Sequence, residues 1–437
     1  MKQRFTSMDA ALDWLYAFVN YETRRTATYD PENYNLTRMQ RLLDALGYTQ
    51  TFRVLHIAGT KGKGSTAAAA ERFLRADGKH TGLFTSPHCL DVRERIMVDG
   101  AMIPKREFMR LTGRAAGIVD TFPDAMKPTT FELFTALALM YFRERHVDWA
   151  VIEVGMGGRL DSTNVVMPDA VVITSLSFDH MDKLGSTLPE IAREKAGIIK
   201  TAAPVISAMQ PTDALTVIRR TAEEHAAPLT VFGAGIVTVL KDISIDGTRF
   251  EYTSGSGLCV EIQTPLIGEF QMENLSLALR AVEIVLSPAE RTIRRMARSV
   301  RDLSIRGRMN IVSREPLSIV DGAHNADSMR KVTAAIRAIA PGREFAVLFA
   351  PLLDKDIDGM CEALAGFTEH LIVTAPVSHK SADAHVSAEK ARSYGFACEE
   401  ISDFSQAMES LKSLQKSGYC TLITGSLYAV SSYFSMK

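Results

Sequence analysis

The stretch Thr51–Thr66 reads Thr-Phe-Arg-Val-Leu-His-Ile-Ala-Gly-Thr-Lys-Gly-Lys-Gly-Ser-Thr, and an alanine-rich segment from Ala67 to Asp77 follows it. An apolar strand that enters a glycine-rich turn and leaves as a helix restricts a chain to few architectures. The glycines let backbone N–H groups close round phosphate oxygens, the helix start adds positive potential, and Lys63 supplies a full charge. Ser65 or Thr66 offers a hydroxyl to Mg²⁺, as in nucleotide-binding loops. The spacing departs from G-x-x-x-x-G-K-[ST], because Gly64 separates Lys63 from Ser65. The bland alternative is a glycine-rich strand-to-helix connection with incidental lysines.

At 437 residues the chain calls for two or three domains. Its 46% apolar and 23% charged content is that of a globular protein, and a net charge of −1 gives no global attraction to nucleic acid or anionic lipid. No apolar run reaches the length of a membrane span, and Met1–Asp9 leads into no apolar leader core. The five cysteines (Cys89, Cys259, Cys361, Cys398, Cys420) are scattered and lack C-x-x-C spacing. Reduced thiols and a cytoplasmic setting are expected.

Short β-rich runs alternate with helical ones, the pattern of a parallel sheet flanked by helices. Strands are predicted at 52–58, 81–85, 149–154, 170–175, 317–320, 345–349, 371–374 and 421–424. Helices are predicted at 131–145, with Leu133, Leu137 and Met140 on one face, and from Thr187 to Gly197. In the latter, Thr187, Pro189 and Glu190 form a capping signature. Residues 228–265 are rich in Val, Ile, Thr and Gly, with turn signals at Asp246-Gly247 and Ser254–Gly257, and read as a small antiparallel insert. A helix over 272–286 follows. The expected division is 1–303 and 304–437.

Ligands of doubly wound sheets bind outside the carboxyl ends of the strands. Those ends carry the phosphate turn, Ser86-Pro87-His88, Glu153 with Gly155–Asp161, and Asp179-His180. Hard oxygen donors with one imidazole suit Mg²⁺ bridging a nucleotide to a substrate. Taken singly, Glu153 reads equally as an internally satisfied carboxylate and His180 as a cap or core histidine. The second half places Asp321–Asn325, Asp354-Lys355-Asp356 and Gly425-Ser426 at its own strand ends. From the residues alone, the expectation is a Mg²⁺-nucleotide enzyme with two α/β domains.

Several blocks carry a more specific resemblance. They are Gly59–Thr66, Thr85–His88 with Arg93–Ile96, Glu153–Asn164, Asp179–Gly185, Glu194–Ile198, Gly307-Arg308 and Asp321–Asn325. In this order they resemble the folylpolyglutamate synthase and bifunctional dihydrofolate synthase family of the Mur ligase superfamily, over roughly residues 35–430. The resemblance implies an α/β fold: a Mur-ligase-type P-loop ATPase domain with a small β insert, then a Rossmann-like C-terminal domain. It implies an ATP-dependent amide ligase that phosphorylates a folate or dihydropteroate carboxylate and joins L-glutamate to the acyl phosphate.

By that resemblance, Gly59, Thr60, Lys61, Gly62, Lys63, Gly64, Ser65 and Thr66 hold the ATP phosphates. Asn274, Arg308 and Asp321 grip ATP from the later chain. Ser86, Glu153 and His180, with Ser65, ligate Mg²⁺. Lys195 is carbamylated and serves a second metal; on its own it reads as a helix C-terminal lysine on the dipole. Lys63, Lys195, His180 and His324 form the catalytic group, and Ser426 joins His324 where phosphate or glutamate is met. Lys61 stands where asparagine is frequent. Near the pterin, Asn35–Arg38 keeps Leu36 and Arg38 of the family pattern, and Phe131-Glu132 keeps its pair. A monomer is expected, with no nucleic-acid or membrane partner. Two rivals remain: a Mur-type ligase for another carboxylate, and a nucleotide-binding module without chemistry.

Overall fold

A computed structural model describes residues 4–20, 34–178, 181–376, 378 and 380–437. The chain divides into two compact units. The first comprises residues 1–239, 251–262 and 272–300; the second comprises 240–250, 263–271 and 301–437. Parts of the expected insert therefore fall in each unit. No helix among the described residues is long and apolar enough to cross a membrane.

In the first unit the strands are β1 (Arg53–Ala58), β2 (Thr81–Phe84), β3 (Ile96–Val98), β4 (Ala101–Met102), β5 (Trp149–Glu153), β6 (Ala170–Ile173), β7 (Val205–Ser207) and β8 (Leu229–Val231). Their order in the sheet is β4-β3-β2-β5-β1-β6-β7-β8. The sheet is mixed: β3 pairs antiparallel with β2 and with β4, whereas β2, β5, β1, β6, β7 and β8 run parallel. β1 lies between β5 and β6; the connection leaving β1 runs to one side and that leaving β5 to the other. The crevice at the carboxyl end of β1 is thus the switch point where doubly wound sheets take ligands.

Local sequence explains the elements around this point. β1 and β5 are buried along almost their whole length, so their apolar runs are continuous rather than alternating. The helix Lys63–Ala76 packs Ala67, Ala69 and Ala70 with no exposed area, which lets it lie close on the sheet. The helix Thr130–Glu144 opens on a capping box of Thr129 and Glu132 and is buried on nearly every face. The helix Leu188–Ala196 opens on the Thr187–Glu190 box with Pro189 in its first turn and ends at Gly197, which places Lys195 in its last turn.

Residues 228–265 do not form one insert. Leu229–Val231 joins the main sheet as β8, because its residues pair in register with Val205–Ser207. The separate three-stranded sheet consists of β9 (Val237–Ser244), β10 (Gly247–Thr253) and β11 (Cys259–Thr264), in the order β11-β10-β9.

The second unit holds β12 (Asn310–Arg314), β13 (Leu317–Val320), β14 (Phe345–Phe349), β15 (His370–Val373), β16 (Ala397–Glu400) and β17 (Cys420–Thr424), ordered β12-β13-β17-β14-β15-β16. Only β12 runs antiparallel to its neighbour. Met329, Val332 and Ile336 of one helix, with Met360 and Leu364 of another, cover the buried residues of β13, β14, β15 and β17.

Candidate active site

The phosphate turn is pinned at its entrance. Thr60 and Lys61 donate their amides to Ser175 O at 3.0 and 3.1 Å, and Thr60 Oγ1 donates to Ser177 O at 3.2 Å. Gly59 has φ +148°, and a side chain there would meet Thr174 Oγ1 at 1.8 Å. Gly62 has φ +88° and would set a Cβ 2.1 Å from Asn274 Oδ1. Only glycine fits both places. Asn274 therefore touches the turn directly, although more than 200 residues separate the two in sequence. Tyr252 Oη donates to Glu283 Oε2 at 2.6 Å, which ties β10 to the helix that carries Asn274.

The first backbone bond of the helix Lys63–Ala76 runs from Thr66 N to Gly62 O, and Gly62 supplies no side-chain cap. The amides of Lys63, Gly64 and Ser65 thus point out of the helix start, where an anion is favoured. Lys63 Nζ and Lys195 Nζ both donate to Gly59 O, at 3.2 and 3.0 Å. Lys195 is buried. It reaches the turn because the loop Gly155–Asp161 packs on its helix end: a Cβ on Gly158 would lie 2.7 Å from Glu194 O and 2.9 Å from Lys195 O. Arg159 N also donates to Glu194 O at 2.8 Å.

Glu153 ends β5 and is buried, with Oε2 accepting from Ser86 N at 3.2 Å. A Cβ on Gly64 would sit 3.5 and 3.9 Å from the two Glu153 oxygens. The departure from ordinary loop spacing thus leaves open the space before this carboxylate. Ser65 is buried beside it in the chain, and the buried Thr66 hydroxyl has no protein partner. This hard-oxygen set fits Mg²⁺. His180 lies outside the described residues, and no cluster of three or more His, Cys, Asp or Glu side chains forms among those described.

Behind the turn runs a buried polar chain that the spacing of motifs did not reveal. His56 in β1 bonds Thr163 Oγ1 through Nε2 at 3.0 Å, and Thr163 Oγ1 donates to Asp161 Oδ1 at 2.5 Å. Asp161 also accepts from Met156 N at 2.9 Å and Thr163 N at 3.0 Å. Burial pushes the His56 imidazole down to about 3, with Lys200 adding to the effect. Burial raises the Asp161 carboxyl, opposed by its hydrogen bonds from Thr163 and the loop amides. The one sequence signal was the polar run Asp161-Ser162-Thr163-Asn164 after a glycine-rich loop.

The expected pterin-side residues come together. Arg38 and Glu132 form a buried ion pair at 2.6 Å, with Arg38 Nε also bonded to both carboxylate oxygens. The Phe131 ring blocks any side chain at Gly155, at 2.4 Å, and lies 5.9 Å from the Phe84 ring.

Within the second unit, Asp321 accepts from Met309 N and Ala323 N at 2.8 and 2.7 Å. Burial raises its carboxyl and the Arg308 charge opposes that. Arg308 Nη1 donates to Gly307 O at 3.1 Å. His324 Nδ1 donates to Gly322 O at 2.9 Å, which fixes its tautomer. Ser426 is fully buried, donates to Ala350 O and caps the helix Leu427–Ser435, so its hydroxyl serves the fold. Asp356 likewise caps the helix Ile357–Leu364. A cavity of about 950 Å³ lies by the amino ends of β1 and β5, bordered by Arg53, Lys79 and Asp169. That is the edge opposite the phosphate turn.

Residues 57–282 match the Mur ligase middle domain and residues 307–427 the Mur ligase glutamate ligase domain. A dihydrofolate synthase/folylpolyglutamate synthase of Bacillus subtilis is 33% identical over 98% of this chain and 98% of its own. A Mycobacterium tuberculosis folylpolyglutamate synthase complexed with ADP and AMPPCP superposes with a TM-score of 0.90 at 27% identity, over 98% of this chain and 99% of that one. E. coli FolC in complex with DHPP and ADP superposes with a TM-score of 0.86 at 27% identity, over 100% of this chain and 99% of its own. The chain belongs to the Mur ligase family, within its folylpolyglutamate synthase and dihydrofolate synthase branch.

Proposed function

We propose that this protein is an ATP-dependent ligase that joins L-glutamate to a reduced folate and also to dihydropteroate. The observation that carries this is the meeting of Lys63 and Lys195 on the Gly59 carbonyl, with Gly64 of the same turn facing the Glu153 carboxylate, at the switch point of the sheet. A carboxylate is a poor electrophile with a poor leaving group, so it is activated by phosphorylation. Its oxygen attacks the γ-phosphorus of ATP and ADP leaves; the glutamate amine then attacks the acyl carbon, and phosphate and a proton leave. Bringing two anions together needs concentrated positive charge aimed at the transferring group.

The helix-start amides of Lys63, Gly64 and Ser65 and the Lys63 ammonium bind the phosphates. Asn274 braces the turn from the side. Glu153 and Ser86, with Ser65 and His180, would hold Mg²⁺, which neutralises phosphate charge when bound. Lys195 loses one proton to become the neutral amine, whose nitrogen bonds the carbon of CO₂ and releases a second proton to give a carbamate; such a group keeps one N–H, which can still donate to Gly59 O. Its new carboxylate extends the metal-binding set. Arg308, Asp321 and His324 serve nucleotide and glutamate from the second unit. Residues 1–303 and 304–437 act as the two functional domains of a cytoplasmic monomer.

The test is ADP release by the purified chain with ATP, Mg²⁺ and L-glutamate, offering in turn dihydropteroate, tetrahydrofolate and a uridine-nucleotide muropeptide. Turnover with a pterin and none with the muropeptide is expected. Release with the muropeptide alone would transfer the assignment to another Mur-type ligase, and ATP binding without any turnover would leave a nucleotide-binding module.

A further inference from the structure

We propose that Gln210 is a positioning residue for nucleotide binding: it orients the Ser175 carbonyl on which the phosphate turn hangs. The proposal rests on the ligase reading only for the identity of the ligand, ATP. Its structural basis is separate.

At its entrance the turn is tied to the segment that follows β6. The amides of Thr60 and Lys61 both reach Ser175 O. Thr60 also exchanges bonds with Ser177, its Oγ1 donating to Ser177 O at 3.2 Å and accepting from Ser177 N at 3.3 Å. Thr174 donates its amide to Ala58 O at 2.8 Å and fills the space that a side chain at Gly59 would need. The geometry of residues 174–177 therefore sets where the turn begins.

Gln210 grips that segment from the side away from the turn. Its Oε1 accepts from Leu176 N at 3.0 Å, and its Nε2 donates to Thr174 O at 3.0 Å and to Ser207 Oγ at 3.4 Å. The partners orient the amide, since Thr174 O can meet only the NH₂ end and Leu176 N–H only the oxygen. Leu176 N–H and Ser175 C=O belong to one planar trans peptide group and point in opposite directions. Fixing the N–H fixes the carbonyl, so Gln210 on one side aims Ser175 O at Thr60 and Lys61 on the other.

Gln210 itself has little freedom. It is 7% exposed. Two residues earlier, Ala208 N donates to Ile173 O at 2.8 Å, and Pro211, the N-cap of the helix Thr212–Glu224, follows at once. A residue before proline is confined to extended conformations. The adjacent Met209 donates its amide to Glu273 Oε1 at 3.0 Å, and Glu273 precedes Asn274, which abuts Gly62. Two neighbouring residues after β7 thus reach both supports of the turn, the Ser175 segment and the helix of Asn274.

The test uses the full chain. Gln210→Met keeps the length of the side chain and removes its hydrogen bonds. Gln50→Ala is the control, because Gln50 clasps Met167 and Phe52 O in a similar manner by the amino end of β1, at the opposite edge of the sheet. In Gln210→Met, hydrogen exchange at the Thr60 and Lys61 amides is expected to quicken, and ATP affinity and KM for ATP to worsen, each by roughly 5–10-fold, as for one lost hydrogen bond, while KM for the pterin stays within about twofold. Gln50→Ala should keep wild-type exchange at those amides and wild-type ATP affinity. Unchanged exchange or unchanged ATP affinity in Gln210→Met overturns the proposal. So does an equal rise of both KM values, or the same losses in Gln50→Ala, which marks a general loosening of the fold. Should Gln210→Met not fold, the wild type decides: in ¹H–¹⁵N spectra, ATP with Mg²⁺ should shift the Gln210 side-chain and Leu176 amide signals together with those of Thr60 and Lys61. Silent Gln210 and Leu176 signals overturn the proposal. A wild type that binds ATP yet releases no ADP with any pterin refutes the ligase reading instead, and leaves the exchange and affinity results standing.

Discussion

Lys63 and Lys195 donate to the same backbone oxygen, that of Gly59, at 3.2 and 3.0 Å. One belongs to the phosphate turn and the other to a helix more than 130 residues later. Lys63 thereby brings a positive charge to the phosphate turn, and the same carbonyl holds the Lys195 nitrogen at the turn's edge. Lys63→Met should therefore lower kcat/KM for ATP by roughly 100-fold or more while circular dichroism stays unchanged, the scale seen when an electrostatic group at a reacting centre is lost. Lys195→Ala should lose activity to a similar extent and regain part of it with added short carboxylates. A near-normal rate in Lys195→Ala would remove the carbamate role.

Gly62 and Gly78 separate two effects of adding a methyl group. Both have positive φ, +88° and +85°, but a Cβ meets Asn274 at Gly62 and nothing at Gly78. Gly78→Ala should cost about 1–2 kcal/mol of stability, the left-handed penalty, with ATP binding intact. Gly62→Ala should add a loss of ATP affinity of roughly tenfold or more, because Asn274 must move and the turn with it. Equal ATP affinities by calorimetry in the two variants would show that the Asn274 contact is idle.

The buried His56 sets an acid limb on stability. Its folded imidazole sits at about 3 against an unfolded value near 6.5, so between these values only the unfolded chain takes up the proton. The unfolded state binds more protons there, and stability rises with pH. The contribution is complete above about pH 6.5 and is lost progressively as pH falls towards 3. At pH 4.5 the loss from this group is on the order of 2–3 kcal/mol. His56→Gln should flatten urea midpoints between pH 7 and 4.5; an acid limb as steep as that of the wild type would contradict it.

The Arg38–Glu132 pair is buried on both sides, and Glu132 also accepts from Thr129 N in the capping box. Glu132→Ala strands the arginine and uncaps the helix, so a loss of about 3–5 kcal/mol is expected. The doubly apolar Arg38→Met/Glu132→Leu should recover much of it. Thermal unfolding of the three proteins would settle the order.

The parts legible in sequence were those where local chemistry decides. The strand, turn and helix of 53–76 could be read because apolar run, glycines and alanines all agree, and the helix at Leu188–Ala196 because its capping box and Gly197 are contiguous signals. β8 was misassigned because Leu-Thr-Val fits an insert as well as a parallel edge, and its partner Val205–Ser207 lies over twenty residues away. The antiparallel β3 and β4 are too short to carry a period. In the site, Glu153 and Lys195 were read from motifs, whereas the Gly62–Asn274 contact and the His56–Thr163 bridge are tertiary. No spacing encodes them. Ser426 shows the converse: a serine at a strand end reads as a ligand until its helix cap is seen.

Sharing one acceptor makes the two lysines interdependent. A carbonyl that loses or weakens one donor strengthens its bond to the other, so any change in the bonding of Lys195 is felt by Lys63 through a single intervening atom. The Gly59 carbonyl is in this sense a two-input gauge. A ¹³C label at that one position would register a change at either lysine in the same vibrational band, and would show whether the proposed nucleotide binding and the proposed carbamylation help or hinder each other.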